Sequence, residues 1–128
     1  MTLRVVQLGT PRHPGEGLRI GTVRRPPRGV PRSQYRTQDW FDAWLPELAP
    51  SPAAVKLAQR ADSPQQWRSF VKRYRSELAA PDKVRLLKLL AALSHQTNLS
   101  IGCYCSDESR CHRSVLRALL RQHGARLT

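Results

Sequence analysis

Apolar and polar residues alternate in three stretches of the chain, with the two-residue period of a β-strand. These stretches are residues 3–9, 18–23 and 99–105. Because successive side chains of a strand point to opposite faces of a sheet, the alternation predicts three strands. The last stretch runs directly into a helical pattern, and we expect it to be the central strand of the sheet.

Four further stretches place apolar residues at helical spacing, and two of them begin with clear start signals. Ser51 precedes Pro52 and Ser63 precedes Pro64, which combines an N-cap side chain with proline in the first helical turn. The predicted helices cover residues 52–61, a segment from 64 that includes Trp67 to Leu78, a segment from 81 or 82 that includes Val84 to Leu93, and a segment that includes Val115 to Leu120 and ends before Gly124.

Residues 38–48 also carry aromatic and aliphatic side chains at helical spacing, which predicts a short amphipathic helix. Such a stripe is more typical of a core-facing helix than of a base-stacking surface. The predicted order is therefore strand, loop, strand, helices, strand, helix. That order is typical of a small α/β domain, with a mainly parallel sheet of about three or more strands covered by helices.

The 128 residues are enough for one such domain, spanning 1–128, and too few for two. No apolar run reaches the ~18 residues that a membrane helix needs. We therefore expect a cytoplasmic protein without membrane partners, whose three cysteines stay reduced. The odd number of cysteines also argues against a disulfide framework.

Positive charge dominates the composition. The chain has 22 Lys and Arg against nine Asp and Glu, which gives a formal net charge of +13. An excess of this size favours a nucleotide, a nucleic acid or another polyanion as partner. Two alternatives stay open: the charges cover solvated faces, or the basic surface meets an acidic protein as an interaction module.

The densest positive charge lies in an Arg/Pro-rich loop over residues 24–36. Arg24, Arg25 and Arg28 are interspersed with prolines that exclude a helix. The planar fork of a guanidinium group suits phosphate oxygens, which favours a loop that contacts phosphates. The alternative is an extended linker with solvated arginines.

Residues 98–124 are the most distinctive stretch, because they form a predicted strand, a short polar loop and a helix. A loop that enters a helix N-terminus presents backbone N–H groups and the positive end of the helix dipole. Open α/β sheets bind ligands at this edge. Arg110 and Arg113 flank the turn. The stretch therefore predicts an anion site for phosphate or carboxylate, completed by the 24–36 loop.

The same stretch contains Cys103, Cys105, Cys111 and His112, for which three interpretations compete. They suit a Cys3His set for zinc or iron. They also suit a thiol enzyme with Cys105 or Cys111 as nucleophile and His112 as acid or base, since nearby arginines and a helix N-terminus lower a thiol pKa. Alternatively, Cys103 and Cys105 are small core residues of the strand. The cysteine-to-arginine spacing does not match a phosphatase loop.

Four motifs, in the same order along the chain, resemble those of the domain of unknown function 488 family, which includes YeaO-like proteins. They are Arg24–Val30, Trp44–Ser51, Trp67–Glu77 and Cys103–Ser114. The resemblance implies a small cytoplasmic bacterial α/β protein, and it implies neither a function nor site residues. From the residues themselves, our leading hypothesis is the binding of a phosphate-bearing ligand, and the alternative is a metal- or thiol-dependent enzyme.

Overall fold

The computed structural model describes residues 1–128 and contains four β-strands and four α-helices. The strands are β1 (Leu3–Gln7), β2 (Leu18–Gly21), β3 (Ala43–Trp44) and β4 (Leu99–Cys103). The helices are α1 (Pro52–Arg60), α2 (Pro64–Glu77), α3 (Pro81–Leu93) and α4 (His112–Gln122). Every helix falls short of the length and apolar character that crossing a bilayer requires.

All strand pairs in the sheet are parallel, and the strand order is β1-β4-β2-β3. β4 is thus central, as the sequence predicted, and all five of its residues are buried. Ile101 lies opposite Val5 of β1 and Ile20 of β2. The predicted α/β class with a mainly parallel sheet is confirmed, and the carboxyl ends of the strands meet at one edge.

The helices cover one face of the sheet. Leu3, Ile20, Leu99 and Ile101 point from the strands into the main core, where they meet apolar side chains of all four helices. α1 packs on α2, and α4 packs on both α2 and α3. A second, smaller cluster of buried side chains lies at the carboxyl edge of the sheet; it comprises Leu8, Val23, Phe41, Cys103 and Cys111.

The opposite face of the sheet holds a buried ion pair. Arg19 of β2 is 0 % exposed, and its Nε and Nη2 donate to the Glu16 carboxylate at 2.7 and 2.9 Å. Arg19 Nη1 donates to the carbonyls of Thr10 and Asp39, while Ser100 of β4 donates to Glu16. Because each buried charge is paired and hydrogen-bonded, the network fastens the 10–17 loop to the sheet.

The predicted helix over residues 38–48 is wrong. This segment turns at Asp39, whose φ of 62° interrupts a right-handed helix, and then forms β3 and a short 3-10 helix, Pro46–Leu48. β3 gains backbone pairing with β2, and the Trp44 indole donates to the carbonyl of Val23 at 2.6 Å. Sheet pairing outweighs the local helical pattern here. The strand predicted over 99–105 ends at Cys103, and the strands predicted over 3–9 and 18–23 are likewise two residues shorter.

Candidate functional site

The candidate site lies where β4 ends and α4 begins. The strand ends at Cys103, and the helix starts at His112, so the connecting residues 104–111 follow the carboxyl edge of the sheet. Cys111 is the N-cap residue of α4. Parallel sheets bind ligands at this edge, because strand ends and helix N-termini converge there.

The three cysteines form a cluster with two buried thiols and one exposed thiol. Cys103 and Cys111 are each 2 % exposed, and their Sγ atoms are 2.6 Å apart. Cys105 lies beyond the strand and is exposed, and its backbone N–H donates to Cys103 Sγ at 3.4 Å. The interpretation of a core residue therefore suits Cys103 and not Cys105.

The environment of Cys105 favours its thiolate. The neighbouring thiols of Cys103 and Cys111 and the positive charge of Arg113 stabilise the Cys105 thiolate, so that the pKa of Cys105 falls to about 3. The pKa of Cys103 is raised in turn, because the neighbouring Cys105 and Cys111 sulfurs favour its protonated form and because Cys103 is buried. The pKa of Cys111 is also lowered, mainly by its hydrogen bond with Cys103, so Cys105 is the exposed one of two sulfurs with thiolate character.

His112 orients one ring nitrogen toward the thiols. Its Nε2 lies 2.8 Å from the carbonyl oxygen of Thr22, and a carbonyl accepts hydrogen bonds, so Nε2 carries the proton. The unprotonated Nδ1 then faces Cys111 Sγ at 3.8 Å. A histidine that binds a metal is held in this way, with its other nitrogen donating to a carbonyl. The same arrangement suits a base that takes a proton from a thiol.

Three of the predicted metal ligands lie close enough to hold one ion. The ligand atoms of Cys103, Cys111 and His112 are all within 4.8 Å of one another, and Cys105 is not part of that group. Two thiolates on one zinc ion at ~2.3 Å each lie roughly 3.8 Å apart in tetrahedral geometry. The donor types therefore fit zinc or iron, and the two sulfurs would have to separate to take up the ion.

The two arginines that flank the turn have different surroundings. Arg113 is 3 % exposed; its Nη2 donates to the Cys105 carbonyl at 2.5 Å, and its buried Nε has no partner. Arg110 is exposed, lies 5.0 Å above the Trp67 ring and donates to the Ala61 carbonyl. Arg113 thus supports the cysteine loop from within, while Arg110 stays at the surface.

Two adjoining clefts contain the cysteine cluster. The larger, which we name the thiol cleft, has a volume of about 490 Å³ and lies between α1 and the β4–α4 loop. Its charged and reactive lining residues are Arg24, Arg25, Lys56, Cys103, Cys105 and His112. The smaller cleft, of about 280 Å³, shares Cys105 and His112 and adds Cys111 and Arg110.

A third cleft adjoins the thiol cleft and shares Arg25 and Tyr104 with it. We name it the aromatic cleft; its volume is about 740 Å³, and it is bordered by Trp40 and by Arg28 of the Arg/Pro loop. No carboxylate lines any of these three clefts. Two clefts elsewhere on the molecule have carboxylates among their lining residues, namely Glu47 and Glu77 in one and Asp42 in the other.

The structure thus brings together most of the residues that the sequence singled out, divided among the three clefts. Sequence reasoning missed Lys56 and Gln59 of α1, and Tyr104 of the loop, which also line the thiol cleft. It also missed Thr22 as the partner of His112. Nothing in the local sequence marks these residues, because only the packing of α1 beside the β4–α4 loop makes them part of the site.

A family model described as "DUF488-N3a: Active DUF488-N3 subclade" matches residues 3–124. The match includes all four strands and all four helices. No curated protein and no solved structure matches the chain.

Proposed function

Because the chain belongs to the domain of unknown function 488 family, which carries no functional assignment, its function rests on its own residues, and we propose that it binds a phosphate-bearing ligand. The ligand is a nucleotide or a nucleic acid, and its phosphate lies in the thiol cleft against the Arg/Pro loop. This proposal joins the β4–α4 loop to Arg24, Arg25 and Arg28.

One observation carries the proposal: the lining of the clefts at the carboxyl edge is cationic without compensation. Arg25, Arg28 and Lys56 are exposed, and their side chains have no hydrogen-bond or ion-pair partner in the protein. Free cations that converge on a concave surface attract a multiply charged anion and raise its local concentration. Guanidinium groups favour phosphate in particular, since they offer paired N–H donors.

The fold adds a second favourable element. α4 has 11 residues and begins at His112, so its N-terminal N–H groups and dipole face the same edge. Arg113, in the first turn of α4, adds a buried positive charge behind the loop. The N-terminus of α4 and the charge of Arg113 both attract an anion into the thiol cleft, and neither adds a side chain to the lining of that cleft.

The test uses two exposed cations of the thiol cleft. Arg25→Ala and Lys56→Ala should each weaken the binding of a nucleoside triphosphate or of inorganic pyrophosphate by about tenfold, the effect of losing one charged hydrogen bond. Isothermal titration measures both. Arg85→Ala, which removes an exposed charge from α3, is the matched control and should bind normally. Wild-type affinity in the Arg25 and Lys56 variants would contradict the proposal.

A second candidate function, a thiol- or metal-dependent enzyme, is favoured by the position of Cys105. This exposed sulfur lies in the thiol cleft beside His112, where a bound ligand would meet it. In the thiol version, Cys105 is the nucleophile, and Cys111 with His112 accepts or supplies a proton. In the metal version, Cys103, Cys111 and His112 hold zinc or iron, which supplies Lewis-acid chemistry.

Elemental analysis and thiol counting separate the two versions. Protein purified without a chelator should contain about one zinc or iron per chain if the metal version is right. Metal-free protein with a single rapidly modified cysteine supports the thiol version. Neither result changes the expectation for the arginine variants.

A further inference from the structure

We propose that the aromatic cleft binds the nucleobase of the ligand, so that the protein recognises a complete nucleotide unit and not phosphate alone. This inference rests on the proposed function, because the phosphate of that unit is held by the arginines already described. The aromatic cleft opens at the carboxyl ends of β1 and β4 and is lined by Gln7, Leu8, Arg25, Arg28, Trp40 and Tyr104, among others.

Two aromatic rings form the walls of this cleft. The ring centroids of Trp40 and Tyr104 are 5.9 Å apart, and the rings meet at 75°. The Tyr104 hydroxyl donates to the carbonyl of Arg25 at 2.8 Å, which holds the ring beside the Arg/Pro loop. Aromatic side chains at the mouth of a basic cleft are the usual platform for a base, because every base has a flat π-face.

The position of Trp40 depends on a glycine. Gly9 follows β1 with a φ of 87°, a conformation that favours glycine, and a Cβ atom there would lie 2.8 Å from the Trp40 ring. The absence of a side chain at Gly9 therefore lets the indole lie directly against the chain. Trp40 is half-buried, and part of it remains available to a ligand.

A polar group lies beside the rings. Gln7 Nε2 donates to the carbonyl of Tyr104 at 3.2 Å. Because a carbonyl oxygen only accepts hydrogen bonds, the amide nitrogen has to face it, and this fixes the orientation of the amide group. Gln7 Oε1 is left without a partner in the protein. An unpaired amide oxygen at the rim of an aromatic cleft can accept an N–H of a base, as small polar groups do in ligand pockets.

The two clefts share a wall, and this fixes the orientation of the ligand. Arg25 and Tyr104 line both the aromatic cleft and the thiol cleft. A base against Trp40 and Tyr104 therefore leaves its phosphate beside Arg25 and directs the rest of the molecule toward Cys105. The volume of about 740 Å³ is within the range of sites that enclose a small ligand.

The experiment compares ligands that differ in the base alone. Adenosine 5′-monophosphate and ribose 5-phosphate are titrated into the full chain by calorimetry. The nucleotide should bind about tenfold or more tightly than the sugar phosphate, given the affinity that one stacked base adds. Trp40→Leu and Tyr104→Leu should each remove this difference, and Trp40→Leu should leave the affinity for ribose 5-phosphate unchanged, because Trp40 lies outside the thiol cleft.

Two further variants make the result decisive. Trp44→Leu, which alters an exposed tryptophan outside both clefts, should keep the full preference for the nucleotide. Tyr104→Phe keeps the ring and loses the hydroxyl, so it should also keep the preference. If Tyr104→Leu does not fold, Trp40→Leu alone tests the aromatic cleft. Circular dichroism and the thermal midpoint verify folding of each variant.

The outcomes separate this inference from the proposed function. Equal binding of the two ligands, unchanged by Trp40→Leu but weakened by Arg25→Ala, overturns the base site and leaves the phosphate site standing. Binding of neither ligand overturns both proposals. The last part of the experiment titrates a three-nucleotide single strand. Much tighter binding of this strand than of the mononucleotide identifies a nucleic acid as the ligand. Equal binding of the two identifies a free nucleotide as the ligand.

Discussion

At the scale of single residues, the chemistry of the site depends on the contrast between one exposed thiol and two buried ones. Cys103 and Cys111 are shielded from solvent, while Cys105 is exposed and its surroundings lower its pKa. Exposure and charge therefore coincide at one sulfur. A reactive cysteine needs both, because the thiolate is the nucleophile and has to meet its target.

This contrast predicts selective alkylation. In chelator-treated protein, iodoacetamide should modify one cysteine first, and the modified residue should be Cys105. Because the pKa of Cys105 is lowered to about 3, its thiolate fraction is constant near neutral pH, so the rate should stay nearly flat from about pH 5 to about pH 8. Mass spectrometry of timed samples measures the rate of alkylation and identifies the modified cysteine.

Two variants control this experiment. Cys105→Ser should abolish the fast phase, since Cys103 and Cys111 are buried. Cys103→Ala removes the neighbouring thiol that lowers the pKa of Cys105, so the alkylation rate should begin to depend on pH at a higher value than in the wild type. A wild-type rate that rises tenfold per pH unit up to about pH 8 would show an ordinary thiol and contradict the prediction.

The ion pair of Arg19 and Glu16 predicts a large effect on stability. Arg19→Met leaves the Glu16 carboxylate buried without its partner, which should lower the free energy of unfolding by ~3–5 kcal/mol. Urea denaturation at pH 7 measures the change. Arg73→Met, which breaks the exposed pair with Glu77 at 3.0 Å, is the matched control and should cost ~0–1 kcal/mol. Equal losses in the two variants would count against a special role for the buried pair.

The same pair gives stability a defined pH dependence. Burial alone would raise the pKa of Glu16, but the hydrogen bonds from Arg19 and Ser100 outweigh it and lower the pKa from 4.5 to about 2. A carboxyl group with a depressed pKa in the folded chain stabilises the fold fully above its unfolded value and loses that contribution as the pH falls. Stability should therefore drop between about pH 4.5 and about pH 2, and this component of the drop should vanish in Glu16→Gln.

At the scale of secondary-structure elements, helices and strands can be predicted from the sequence where neighbouring residues determine them. The Ser51 and Ser63 side chains accept hydrogen bonds from Ala54 and Gln66 backbone N–H groups, as the N-cap interpretation requires. β4 was identifiable because its alternation leads into a helix. The two-residue strand β3 was not, since its pairing with β2 depends on contacts far along the chain. The same limit applies to the site. The cysteines lie close together in the sequence and can be recognised there, whereas α1 contributes to the site only through tertiary packing.

The cap of α2 can be tested by itself. Ser63→Ala removes the acceptor for the Gln66 N–H, so we expect a loss of ~1 kcal/mol in the free energy of unfolding. Ser69→Ala, an exposed serine in the interior of the same helix, should be neutral or slightly stabilising because alanine is the better helix former. Thermal and urea unfolding of both variants measure the difference, and equal effects would show that the cap contributes nothing.

At the scale of the whole molecule, the net charge of +13 acts everywhere, while the cleft arginines act at one place. Salt dependence distinguishes these contributions. Arg25→Ala should reduce the slope of log affinity against log salt by about 0.7 for a short single strand, the value for one lost phosphate contact. Fluorescence anisotropy at several salt concentrations measures the slope. Arg85→Ala removes the same charge outside the clefts, and an equal reduction there would mean that only the general field matters.

The central position of β4 has a consequence for how the chain acquires its structure during synthesis. β1 pairs within the sheet only with β4, while β2 is flanked by β4 and the two-residue β3. β1 therefore has to wait for residues 99–103, far later in the sequence, before its ladder can form. Formation of the sheet is therefore limited by the closure of a long loop. During synthesis the sheet is thus expected to assemble only after residues 99–103 have emerged.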